Sequence, residues 1–144
     1  MRKVLIATHG YLADGIKSSV SILTGKESCV TCINAYVDER DYSGDLAAFI
    51  EGVGPEDEAV IFTDIYGGSV NQKVVSLKPE EKGIFVITGF NLSAVLGVVL
   101  STEALTPAAV EEIVTASARQ LMQMPKKKRV PPPPDEQAEE AFFA

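Results

Sequence analysis

The stretch Val4-Leu5-Ile6-Ala7-Thr8-His9-Gly10 decides how this chain folds. Val4–Ala7 is wholly apolar, the pattern of a strand covered on both faces rather than one. Behind it, Leu12, Ile16, Val20 and Leu23 recur at spacings of four, four and three, which is one face of a helix. Gly25 then supplies a helix stop.

The same construction repeats outward from this unit. Cys29–Tyr36 reads as a second strand, and Ser43 as the cap of a helix carrying Leu46, Phe49 and Ile50. Ala59-Val60-Ile61-Phe62-Thr63 is a third apolar strand, running into Asp64-Ile65-Tyr66-Gly67-Gly68-Ser69 and a short helix from Val70 to about Leu77. Ile84–Ile87 is the fourth strand, followed by the turn Gly89-Phe90-Asn91 and a helical face at Leu92, Val95, Leu96 and Val99. Thr106-Pro107 opens a last helix, with Thr as N-cap, Pro at the first helical position and Val110, Ile113, Val114 and Leu121 as its buried stripe. Four apolar strands alternating with helices predict an α/β fold: a single doubly wound, mostly parallel four-stranded sheet with helices on both faces and a C-terminal helix.

The 144 residues, 46% of them hydrophobic, suit one domain with a sizeable core. The chain changes character at Pro125, where Lys126–Arg129 is followed by a proline run, Pro131–Pro134, and an acidic end. We therefore expect a domain over 1–124 and a disordered tail over 125–144. The basic and acidic residues of the tail cancel, so the net charge of −7 lies on 1–124. Such an acidic body argues against a nucleic-acid binder, which needs a basic footprint. The Pro-Lys-Lys-Lys-Arg run at 125–129 matches a nuclear import signal in form, but a solvated charge run before a linker accounts for it more simply.

The longest nearly apolar run, Leu92–Leu100, is far short of the about 20 residues of a spanning helix. Val4–Ala7 is too short for a signal-peptide core, so a cytoplasmic location without membrane insertion is expected. Cys29 and Cys32 form a C-x-x-C pair, but in a β-branched strand context where residues three apart point to opposite faces. Buried structural thiols are the expected outcome.

The chemistry gathers at the carboxyl end of the sheet, where open α/β sheets bind their ligands. His9, the only histidine, stands there at the end of the first strand, and Gly10 lets backbone approach the imidazole. Asp64, after the third strand, is placed to accept a hydrogen bond from one ring nitrogen, fixing the tautomer and leaving the other nitrogen as nucleophile. Gly67, Gly68 and Ser69 lie at a helix start, where N–H groups and a hydroxyl can hold phosphate oxygens. A nucleophile, an orienting carboxylate and such a nest meet the needs of phosphoryl transfer without a metal or cofactor. A plain turn is the alternative for Gly67–Ser69. Asp64 as a phosphoacceptor in its own right would want an acidic Mg²⁺ pocket, and Thr8-His9 stand where an acidic pair would be needed. Asn91 serves either as a pocket wall or, the simpler reading, as a helix cap. A nucleotide or flavin site lacks G-x-G-x-x-G after the first strand.

Three segments carry a family resemblance. V-L-I-A-T-H-G-Y-L-A-D-G at Val4–Gly15, T-D-I-Y-G-G-S at Thr63–Ser69 and G-F-N-L at Gly89–Leu92 resemble, in order and spacing, the mannose-family enzyme IIA domain of the bacterial phosphoenolpyruvate-dependent sugar phosphotransferase system. The resemblance covers residues 1 to about 122. It implies that His9 matches the phosphorylated histidine, Asp64 its hydrogen-bonding aspartate, and Ser69 with Gly67-Gly68 the phosphate-holding loop. It further implies a histidine-containing phosphocarrier protein as donor, an enzyme IIB domain as acceptor, association with a membrane permease, and a homodimer, in some members with an exchanged strand. Val70 and Ser93 stand where the family often has proline. With no IIB domain after the proline-rich stretch, the expectation is a free-standing IIA. The alternatives are a regulatory phosphoprotein of the family without its own permease, and the phosphoryl-donor subunit of a dihydroxyacetone kinase.

Overall fold

The computed structural model describes residues 1–122 together with 130, 131, 133 and 134; the segment predicted as a tail lies almost wholly outside them. The strands are β1 (Arg2–His9), β2 (Val30–Ala35), β3 (Glu58–Thr63) and β4 (Phe85–Thr88), and the helices α1 (Leu12–Thr24), α2 (Ser43–Glu51), α3 (Ser69–Ser76), α4 (Leu92–Leu100) and α5 (Pro107–Arg119). The strands form one parallel sheet in the order β2-β1-β3-β4. The chain winds from β1 to one side and then, past β1, from β3 to the other. The order reverses between β1 and β3, and the chains leaving them pass to opposite faces of the sheet, into α1 on one and α3 on the other.

Strand alternation divides the core in two. Val4, Ile6, Val60 and Phe62 pack with Ala13 and Val20 of α1, four residues of α4, and Val110 of α5. Leu5, Ala7, Ala59 and Ile61 pack with Leu46 and Ile50 of α2 and Val70 and Val74 of α3. Both faces of β1 and β3 are thus sealed, which is why their sequences are apolar throughout rather than alternating.

Local chemistry sets the helix ends. Gly25 closes α1 at φ +67, its N–H donating to the Ser21 carbonyl at 2.9 Å. Thr106 caps α5, accepting from the Ala109 N–H at 3.1 Å, with Pro107 at the first helical position. Asn91 caps α4 as expected: its Oδ1 accepts from the Ala94 N–H at 2.9 Å, while its Nδ2 donates to the Ser117 carbonyl and ties α4 to α5.

Four local expectations are corrected. Of the stripe predicted for α5, Val110 and Ile113 meet the core, whereas Val114 is exposed and Leu121 lies exposed beyond the end of the helix. The buried stripe of α1 runs through Ala13, Ile16 and Val20, while Leu12 and Leu23 are exposed. The buried Thr8 hydroxyl accepts from the Ala13 N–H at 2.9 Å, and that bond turns Ala13 onto the sheet. Leu12, about 100° away around the helix, is carried off it. Ser43 is the first residue of α2 rather than its cap; Asp41 Oδ1 accepts from the Ser43 N–H at 2.9 Å in an Asx turn.

Cys29 lies in a 3₁₀ turn, Glu27–Cys29, so strand alternation does not govern it. Both cysteines are half-buried against the α1 side of the core, as free thiols. Burial, with Asp14 adding to it, pushes the Cys32 thiol up to about 11, so it is unreactive at neutral pH.

Candidate active site

β1 and β3 pair with Ala7 opposite Thr63, so the residues just beyond, Thr8-His9 and Asp64, meet at the reversal point of the sheet. Asp64 Oδ2 accepts two hydrogen bonds from His9, from the backbone N–H at 2.8 Å and from the ring Nδ1 at 2.9 Å. Asp64 Oδ1 accepts from the Ile65 N–H at 3.1 Å. Burial raises the Asp64 carboxyl pKa, but the His9 backbone and ring hydrogen bonds and the His9 charge outweigh it, and the net shift is downward. The group is therefore an anion at neutral pH. A carboxylate only accepts, so the neutral imidazole carries its hydrogen on Nδ1 and presents a lone pair at Nε2.

Nε2 faces Ser69, whose Oγ lies 3.2 Å away. His9 is 38% exposed and Asp64 10%, so the ring opens to solvent while its tether is covered. Asp64 is thus placed as an orienting group. Both its oxygens are already engaged, which does not suit it to accept phosphate itself.

The loop glycines are placed differently from the nest expected of them. In this structure the Gly10 N–H donates to the Ala35 carbonyl at 2.8 Å, the Gly67 N–H to Asn71 Oδ1 at 3.1 Å and the Gly68 N–H to the Ile65 carbonyl at 3.1 Å. Gly10 (φ +62) and Gly67 (φ +72) supply left-handed turns that other residues adopt only with strain. The donors left at the loop are the Ser69 hydroxyl and the first N–H groups of α3, which have no carbonyl one turn back.

Two site residues were not singled out from the sequence. Asn71 is buried; besides holding the Gly67 N–H, its Nδ2 donates to Thr63 Oγ1 at 3.1 Å and staples the loop to β3. A polar residue between Val70 and Val74, on the buried side of a helix, was the available signal. Tyr36, just past β2, stacks on the His9 ring, with centroids 5.3 Å apart and planes 18° from parallel. Its hydroxyl donates to Ser69 Oγ at 2.9 Å. Nothing in the sequence marks it. A cavity of about 420 Å³ lined by Arg2, Lys26, Glu58 and Ser101 lies at the opposite end of the sheet, away from this chemistry.

Fold and site together define a doubly wound α/β domain that presents one carboxylate-tethered imidazole at its switch point. The chain belongs to the EIIA-man family, the PTS system fructose IIA component, which it matches over residues 3–117. It is a IIA-type component of a sugar phosphotransferase system. Among solved structures it is similar to phosphotransferase system component EIIA from Streptococcus agalactiae, at 29% identity over 86% of this chain and 97% of that one, with a TM-score of 0.71. It is also similar to a Klebsiella pneumoniae protein provisionally assigned as a phosphoenolpyruvate-dependent sugar phosphotransferase system permease. There the identity is 29% over 85% and 90% of the two chains, with a TM-score of 0.74. The mannose/sorbose specific IIA subunit from Enterococcus faecalis has a TM-score of 0.69 over 90% and 98% of the chains, and at 14% identity the likeness is one of fold. Among the described residues no helix is long and apolar enough to cross a membrane.

Proposed function

We propose that His9 is the phosphoryl acceptor of a cytoplasmic phosphocarrier. It takes the group on Nε2 from the histidine-containing phosphocarrier protein and hands it to an enzyme IIB domain for sugar uptake and phosphorylation. The observation that carries this reading is the 2.9 Å contact between Nδ1 and Asp64, which leaves the Nε2 lone pair outward. The Nε2–P bond forms as the donor's N–P bond breaks, and no proton moves. The imidazole keeps its Nδ1 hydrogen and becomes formally cationic, and the Asp64 carboxylate stabilises that charge through the bond already in place. The Ser69 hydroxyl then turns from Nε2 to a phosphoryl oxygen, with the N-terminus of α3 behind it. Gly10, Gly67 and Gly68 shape the space the phosphoryl group enters. No metal or cofactor takes part in this scheme.

Several features support a protein as partner. Tyr11, Tyr36, Ile65 and Tyr66 are exposed around His9, and tyrosine-rich apolar rims suit protein docking. The net charge of −7 favours partners with basic surfaces. Among the described residues no strand pairs with the outer edge of β4, in keeping with a homodimer.

The test is intact-mass spectrometry at neutral pH after incubation with phosphoenolpyruvate, enzyme I and the phosphocarrier protein. One acid-labile phosphate on the full chain, absent in His9→Ala, is the expected result. A phosphorylated donor with an unmodified chain overturns the reading. Passage of the label to a IIB domain separates a transport component from a regulatory one.

A further inference from the structure

Tyr36 stands at φ +65, a left-handed backbone that a bulky residue adopts only with strain. It gains no burial by it, since 61% of the residue is exposed. Two of its ring and hydroxyl contacts are with His9 and Ser69 of the site, and the third is with Tyr42 behind it. The ring stacks on the His9 imidazole, lies edge-to-face with the buried Tyr42 ring with centroids 5.8 Å apart, and its hydroxyl donates to Ser69 Oγ. Tyr42 is braced in turn by Lys73, whose Nζ lies 4.4 Å from the ring centroid. A strained, exposed aromatic supported from behind and aimed at a reactive ring is placed by the site rather than by the core.

We propose that Tyr36 is a positioning residue for His9 that acts through Ser69; as a role in phosphoryl transfer it rests on the phosphocarrier reading above. A serine hydroxyl has one hydrogen and rotates freely. By donating to Ser69 Oγ at 2.9 Å, Tyr36 occupies one acceptor direction of that oxygen and leaves its hydrogen directed at Nε2, 3.2 Å away. When Nε2 carries the phosphoryl group, the same hydrogen is held toward a phosphoryl oxygen. The stacked ring meanwhile limits rotation of the imidazole and presents its face to the cationic phosphoimidazole, a favourable contact. The two contributions separate chemically: phenylalanine keeps the ring and loses the hydroxyl.

The test is a double-mutant cycle on the full chain with Tyr36→Phe, Ser69→Ala and the two combined. Two quantities are read: the single-turnover rate of phosphoryl uptake by intact mass, and the ¹⁵N resonance of Nε2 in unphosphorylated, neutral His9. Tyr36→Phe should slow uptake about 3- to 10-fold, the worth of one neutral hydrogen bond. It should also move the Nε2 resonance toward that of a ring nitrogen accepting no hydrogen bond. In the Ser69→Ala background it should do neither. Multiplicative losses in the double variant, or a Tyr36→Phe protein that matches wild type in both readouts, overturn the assignment. If wild type takes no phosphoryl group but the Nε2 shift appears and vanishes in Ser69→Ala, the phosphocarrier reading falls and the action of Tyr36 on His9 through Ser69 stands.

Discussion

Replacing Asp64 separates the two things its carboxylate does, holding the imidazole and supplying charge. Asp64→Asn keeps an oxygen where Oδ2 now accepts both His9 hydrogens, at 2.8 and 2.9 Å, so the ring can stay oriented. What it loses is the negative charge opposite a ring that becomes cationic on phosphorylation. It also sets an amide N–H₂ where Oδ1 now accepts from the Ile65 N–H. A charge-assisted hydrogen bond is about twice as strong as a neutral one, so the loss is about 1 to 1.5 kcal/mol, or roughly 5- to 10-fold in rate. Asp64→Ala removes the whole bond, about 1.5 to 3 kcal/mol, and should slow uptake roughly 10- to 150-fold while leaving some acceptance. It also leaves the part-buried His9 N–H without its partner, which costs about 1 kcal/mol of stability and lowers Tm by roughly 4 °C. Single-turnover uptake from a phosphorylated donor, followed by intact mass beside a thermal melt, measures both effects. The expected order is wild type, then Asp64→Asn, then Asp64→Ala, with melts too close to explain the rates. Wild-type uptake by Asp64→Ala would remove the carboxylate from the mechanism.

Other perturbations test the fold that carries the site. A Cβ at Gly97 on α4 would lie 2.7 Å from Ile113 Cγ2 on α5, a stiff β-branched methyl. Gly97→Ala gains about 1 kcal/mol of helix propensity but forces the helices apart at about 1 to 3 kcal/mol, so a lower denaturant midpoint is expected. At the other end of the sheet, Lys3, together with the Gly54 N–H, lowers the Asp57 carboxyl from 3.8 to about 2. A depressed carboxyl stabilises above its ordinary range and loses that contribution as pH falls through the folded value. Stability should therefore fall from about pH 4 toward pH 2, and Asp57→Asn should flatten that slope in acid titrations followed by circular dichroism.

The strands were legible because burial on both faces leaves no polar alternation: Val4–Ala7 and Ala59–Thr63 are fully covered, and their sequences say so. The pairing of His9 with Asp64 was legible for a topological reason. Neighbouring parallel strands bring the residues that follow them to one edge, so a residue type at each strand end suffices. Asn91 and Thr106 were legible because capping is decided within three residues of sequence. What escaped was decided by contacts between distant segments. Leu12 and Leu23 matched a helical face, but the bond from Ala13 to Thr8 set which face meets the sheet. The glycine N–H groups looked free in the sequence, yet Ala35, Asn71 and Ile65 take them. Tyr36 looked like the end of a strand. Only its left-handed backbone turns it over His9, and neither Ala35 before it nor Val37 after it announces such a turn.

Among the described residues, the side chains that touch His9 are a carboxylate, a hydroxyl and an aromatic ring. Lys73, on α3, lies over the Tyr42 ring and pairs with Asp41 at 3.6 Å, so its charge is spent away from Nε2. This distribution bears on the proposed role. A site that gripped phosphate with arginine or lysine would stabilise the phosphorylated resting state as much as the transition state, and uniform binding of that kind slows release. Here the strongest interaction, between Asp64 and Nδ1, acts on the ring and not on the phosphoryl oxygens. In the proposed scheme it favours uptake by stabilising the ring as it becomes cationic, and on release it leaves the Nδ1–H tautomer in place for the next transfer. In that scheme the contacts to the oxygens fall to a hydroxyl and helix N–H groups, each worth about 1 kcal/mol. A phosphoryl group held mainly through its nitrogen is poised for handover, which is what a carrier between two proteins requires.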